Sequence, residues 1–170
     1  MTAKGPTFGL FVFDDAEELD FVGPWEVFTM AEQALAWVAP DAPKPRSVLI
    51  SEKGGTIRCA KGMRMETDHS FADAPKLDVL LIPGGQGTRR LVDNKAVLDW
   101  VAKTAATCQW ATSVCTGSLI LTAAGPARGK RVTTHWGFTK TLRERGEAKE
   151  VLESIRYVRD GNVVTAAGVS

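Results

Sequence analysis

The chain has 170 residues, 44% of them apolar and 24% charged, with a formal net charge of +1. That length suits one domain over residues 1–170 with room for a layered core, and no basic block stands out to indicate a nucleic-acid surface. No apolar run approaches the roughly 20 residues of a membrane span, Met1–Pro6 is too short and polar for a signal peptide, and three cysteines without framework spacing fit a reducing, cytoplasmic setting.

In chain order, Thr7–Phe13 is a dense apolar run that predicts a buried first strand, ending at Asp14–Asp15. Gly23–Pro24 opens a periodic stretch, Trp25–Trp37. Pro24 suits a first helical turn, where its missing N–H costs nothing. Pro40, Pro43 and Pro45 form a stiff loop. Arg46–Ser51 predicts a second strand, Gly54–Gly55 a turn, and residues up to Met65 short extended pieces. Leu77–Pro83 predicts a strand of the buried parallel type, stopped by Gly84-Gly85-Gln86-Gly87. Leu91–Thr107 predicts one helix or two, Cys108–Val114 a strand, and Thr116–Ala124 a helix ending near Gly125–Pro126. Arg131–Thr134 comes next as a short strand, and Gly137–Arg145 as a helix capped by Gly146. Ile155–Arg159 and Asn162–Ala167 flank a hairpin turn at Asp160–Gly161. Strands alternating with helices predict an α/β fold, with a mainly parallel sheet covered on both faces.

The sharpest chemical signal is Ser113-Val114-Cys115-Thr116-Gly117-Ser118. An apolar strand runs into a cysteine, and small residues then open a helix, which is the layout of a nucleophile elbow. Helix N–H groups and the helix dipole at that place favour a thiolate. The competing reading is a small buried hydrophobe, and for Cys59 and Cys108 that reading carries most of the weight.

Open parallel sheets bind ligands at the carboxyl ends of their strands. Gly84 and Gly85 end one such strand, and their N–H groups are candidates to hold a developing negative charge. Asp20 comes after the first strand and lies between apolar residues, whereas Asp14, Asp15, Glu17 and Glu18 form a solvated run. A carboxyl group in apolar surroundings can trade protons; alternatively Asp20 caps the helix at Pro24. His135 either pairs with Cys115 as its base or is a structural hydrogen-bond donor near a helix start. His69 reads as a surface or turn residue. The two histidines are far apart and lack metal-ligand spacing. Phe21, Trp136 and Phe138 are candidates for a pocket wall or for plain core.

These segments, with Glu18-Leu19-Asp20-Phe21-Val22-Gly23-Pro24, Ile82-Pro83-Gly84-Gly85 and Thr133-Thr134-His135-Trp136, resemble the class I glutamine amidotransferase-like superfamily that includes the ThiJ and PfpI proteins. The likeness runs from about Phe8 to the end of the chain. Aspartate at position 20 and the Cys-Thr-Gly triplet lean toward its isonitrile hydratase branch; several relatives with other activities have glutamate at that first site. The resemblance implies a flavodoxin-like three-layer sandwich, a homodimer and no cofactor. It implies Cys115 as nucleophile, Asp20 as its acid/base partner, Thr116 beside the sulfur, and a Gly85 N–H offered to the site. The family's usual chain continues past the position of Ser170 into a further helix, which this chain is expected to lack. The implied reaction hydrates an isonitrile to a formamide through a thioimidate on Cys115. Glyoxalase-like or hydrolase chemistry on small carbonyl compounds is the rival within the superfamily. A ligand-binding half of a transcription regulator and a cysteine redox sensor are the non-enzymatic rivals.

Overall fold

The computed structural model describes residues 4–168. In chain order the elements are β1 (Thr7–Phe11), α1 (Glu18–Val38), β2 (Arg46–Ser51), β3 (Gly55–Arg58), β4 (Arg64–Thr67), β5 (His69–Ser70) and β6 (Val79–Ile82). They continue with α2 (Thr88–Leu91), α3 (Lys95–Ala105), β7 (Trp110–Val114), α4 (Gly117–Ala123) and β8 (Arg131–Val132). A short 3-10 turn, Trp136–Phe138, precedes α5 (Thr139–Glu144), β9 (Glu150–Val151), β10 (Tyr157–Asp160) and β11 (Val163–Ala166).

Seven strands form one sheet in the order β10-β11-β7-β6-β1-β2-β5. All neighbours are parallel except the hairpin β10–β11. The run β2-β1-β6-β7-β11 is the 2-1-3-4-5 order of a flavodoxin-like doubly wound sheet. The chain moves one way from β1 through α1 to β2, and the other way from β6 through α3 to β7 and through α4 to β11. Right-handed crossovers therefore put α1 on one face and α3 and α4 on the other. The apolar strands become the core: Leu10, Phe11, Ile50, Leu80 and Ile82 are fully buried. The α/β class, the parallel sheet and the hairpin all agree with the sequence reading. The 91–107 region holds one helix, α3, separated from the short α2 that ends at Leu91, because the Asn94 side chain accepts from the Val97 N–H (3.3 Å) and starts α3 afresh.

One boundary is corrected. The helix predicted to open at Pro24 begins at Glu18, and Pro24 lies inside it. Long-range contacts fix the earlier start. Ala16 bridges Gly85, and the Glu17 N–H donates to the Gly84 carbonyl at 2.9 Å. The chain leaving β1 is thereby pinned to the loop leaving β6 before the helix starts. Pro24 then removes one bond, the one its N–H would have made to the Asp20 carbonyl.

Candidate active site

β1, β6 and β7 all end at the place where the strand order reverses, and the segments leaving their carboxyl ends build the site. After β7 comes Cys115, with φ of 56°, a conformation that costs a non-glycine residue energy and clusters at functional sites. Neighbouring bonds hold it there. The Cys115 N–H donates to the Ala166 carbonyl (2.9 Å), and the Cys115 carbonyl accepts from the hydroxyls of Ser118 (3.1 Å) and Thr134 (3.0 Å). Gly117 lets the turn fold tightly, since a Cβ there would lie 2.1 Å from the Ile82 carbonyl oxygen. The tight strand-to-helix turn expected from the sequence is present, with Cys115 at its tip.

Asp20 stands in the first turn of α1 and is 2% exposed. Its Oδ2 accepts from the Gly84 N–H at 3.0 Å, while Oδ1 is buried with no hydrogen-bond partner. It does not cap the helix: Glu17 occupies the cap position. Gly84 is what lets Asp20 and Cys115 meet. A Cβ on Gly84 would lie 2.7 Å from the Cys115 Cβ and 2.8 Å from Asp20 Oδ2.

Electrostatics couple the two. Burial raises the Asp20 pKa from its ordinary value, and the Gly84 N–H and the Cys115 thiol partly offset that. Burial, and then the Asp20 charge, push the Cys115 thiol up to about 12. This corrects the expectation of a free-standing thiolate at a helix start. α4 has only seven residues, and desolvation of Cys115, a residue 7% exposed, outweighs its dipole. The Asp20 carboxyl and the Cys115 thiol therefore titrate as a coupled pair.

The two glycine N–H groups have different work from that expected. Neither Gly84 nor Gly85 offers a free donor for a developing negative charge. Gly84 binds Asp20, and the Gly85 N–H donates to the Thr116 hydroxyl at 3.1 Å. The Thr88 hydroxyl donates to the Gly85 carbonyl (2.8 Å) and lies 3.1 Å from the Thr116 hydroxyl. The Pro-Gly-Gly loop thus orients the acid and the threonine beside the sulfur.

A cavity of about 600 Å³ opens over Cys115, with Thr116, Gly85, His135, Arg89 and Phe138 also among its walls, while Asp20 lies buried behind the sulfur rather than in the wall. His135 shares this cavity, but among the described residues it makes no hydrogen bond to the sulfur. Its Nδ1 accepts from the Gly137 N–H at 3.1 Å, so its structural role is that of an acceptor rather than a donor. Of the aromatic candidates only Phe138 lines this cavity. Phe21 is fully buried core, and Trp136 is exposed beside a different cavity. His69 is not in a turn: it opens the short edge strand β5 and pairs with Asp73 at 3.1 Å.

Sequence reasoning missed several neighbours. Glu17 is not merely solvated: it lines the cavity and pairs with Lys61 at 2.7 Å. Glu18 Oε1 accepts from the Lys61 N–H at 2.7 Å. Thr88 and Arg89 were hidden because nothing in the run Gly87-Thr88-Arg89-Arg90 shows that this turn folds back on the elbow. Within the described residues no helix is long and apolar enough to cross a membrane.

Known proteins share this fold. A relative described as isonitrile hydratase, from Pseudomonas putida, is 33% identical over 162 residues, which is 95% of this chain and 65% of the relative. The chain therefore spans about two thirds of that protein's length. A glutathione-independent glyoxalase DJ-1 from Schizosaccharomyces pombe is 24% identical over 94% of this chain and 81% of its own. Among solved structures, a ThiJ/PfpI family protein from Pseudomonas syringae superposes with a TM-score of 0.82 at 27% identity, covering 99% of this chain and 64% of that one. The DJ-1/PfpI family description matches residues 8–170, and the chain belongs to the DJ-1/PfpI family.

Proposed function

We propose that the protein is an isonitrile hydratase, adding water to an isonitrile to give an N-substituted formamide. One observation carries the reading: a buried carboxyl group with an unpartnered oxygen, Asp20 Oδ1, is coupled to a cysteine on a strained elbow. An isonitrile carbon must accept both a nucleophile and a proton, and this pair supplies both to one atom. The sulfur of Cys115 bonds to the carbon as the proton of the pair passes through Asp20 to that same carbon. The product is a thioimidate, and Asp20 is left as carboxylate. Asp20 next takes a proton from a water whose oxygen adds to the carbon, and the proton passes to the substrate nitrogen. The C–S bond then breaks as the remaining O–H proton returns to the pair, releasing the formamide. Splitting the hydration this way replaces one difficult step with two easier ones. The Thr116 hydroxyl, held by Gly85 and Thr88, positions the water. No metal or organic cofactor enters this scheme.

The homodimer expected from the family likeness belongs to the same proposal. The exposed apolar side chains of Leu19, Val22 and Met30 on α1 support a contact through that helix. A single-copy mass in solution removes that part.

The rival enzymatic reading, glyoxalase-like chemistry on a small dicarbonyl, uses the same thiol. Formamide production from a simple isonitrile, assayed beside methylglyoxal consumption, separates them. Turnover of methylglyoxal alone would transfer the site to the rival.

A further inference from the structure

We infer that Arg89 makes this cavity selective for substrates that carry a carboxylate away from the reacting carbon. The inference rests on the proposed Cys115 chemistry for its substrate class and on separate observations for its charge. Arg89 shares the cavity with Cys115 and Thr116. Its guanidinium is held on two sides. Nη1 donates to the Gly85 carbonyl at 2.6 Å, and the guanidinium carbon sits 4.4 Å over the centre of the Phe138 ring.

Its charge is not neutralised. Among the described residues Arg89 has no carboxylate within ion-pair distance. Its neighbours do: Lys61 is paired with Glu17 at 2.7 Å and Arg90 with Asp15 at 2.9 Å. The one cation of the cavity wall, among the described residues, with its edge unspent is therefore the one fixed in place by a carbonyl and an aromatic face.

A guanidinium presents planar, parallel donors that match a carboxylate in two-point contact, and stacking fixes its plane before the anion arrives. Little side-chain entropy then remains to be lost on binding. A substrate with its isonitrile at Cys115 and a carboxylate at Arg89 uses both ends of the cavity, whereas its neutral ester uses one.

Two measurements on the intact chain test this. The first compares isocyanoacetate with its methyl ester as substrates of the wild type, Arg89→Gln and Arg90→Gln. The second compares the rates at which iodoacetate and iodoacetamide alkylate Cys115 in the same proteins, read by mass spectrometry; it needs no turnover. In Arg89→Gln, KM for the acid should rise about tenfold or more, with the ester within about twofold. The iodoacetate rate should fall by a similar factor relative to iodoacetamide. Arg90→Gln removes the same charge from an adjacent position outside the cavity and should leave both ratios unchanged. Equal losses for charged and neutral reagents in Arg89→Gln, or an equal shift in Arg90→Gln, would overturn the inference. If the wild type turns over neither isonitrile, the hydratase reading fails alone, and the alkylation ratio still decides the role of Arg89.

Discussion

The two ends of the β7 segment each carry a cysteine, and they differ in everything but burial. Cys108 precedes the strand and Cys115 succeeds it; both are under 10% exposed, and burial raises both pKa values, to about 11 and about 12. At Cys108 burial is the end of the matter. At Cys115 the backbone is forced to positive φ, a glycine lets a carboxyl group approach, and a threonine hydroxyl is held alongside. A buried thiol is ordinary, and a raised pKa does not make it a catalyst. What distinguishes Cys115 is that its proton has somewhere to go.

Cys115→Ala sharpens this contrast most. It should lower formamide production by at least about a thousandfold, because the nucleophile acts in every step. Intact turnover in that variant would leave the elbow without a chemical purpose. Asp20→Asn comes next. It keeps the size of the side chain and an oxygen to accept from Gly84, yet cannot carry a proton between sulfur and carbon. A loss of about a hundredfold to ten-thousandfold in kcat is expected, with the thermal midpoint little changed. If kcat holds and only stability moves, Asp20 serves packing rather than chemistry. Cys108→Ala should have the smallest effect, with steady-state kcat/KM within about twofold of wild type, as for a residue distant from the reacting atoms. A large loss there would dissolve the comparison.

The elbow was legible in the sequence because it is local. A short apolar strand, then Cys-Thr-Gly-Ser, specifies both the turn and the sulfur it presents. The sheet was legible for a similar reason, since buried parallel strands are continuous apolar runs such as Val79–Ile82. The start of α1 was not. Gly23–Pro24 is a strong local signal, but the Glu17 contact to Gly84, sixty-seven positions away in the chain, overrides it. The same long-range contact brings Asp20 to Cys115, so local sequence made the acid suspect from its apolar neighbours, and only the family resemblance paired it with the thiol. The expected lowering of the Cys115 pKa fails on the same grounds. Position at a helix start is visible in sequence, whereas the desolvation that outweighs it depends on how the surrounding elements close. Arg89 and Thr88 lay beyond reach because their meaning comes from packing against the elbow.

The central claim is that the sulfur of Cys115 bonds to the substrate carbon while Asp20 carries the proton. Its most direct test is the intact mass of the wild-type protein, acid-quenched during turnover of an isonitrile and then peptide-mapped. An increase equal to one isonitrile molecule, located on Cys115 and absent in Cys115→Ala, is the predicted result. Turnover with an unmodified Cys115 throughout, or with the added mass on another residue, would contradict it.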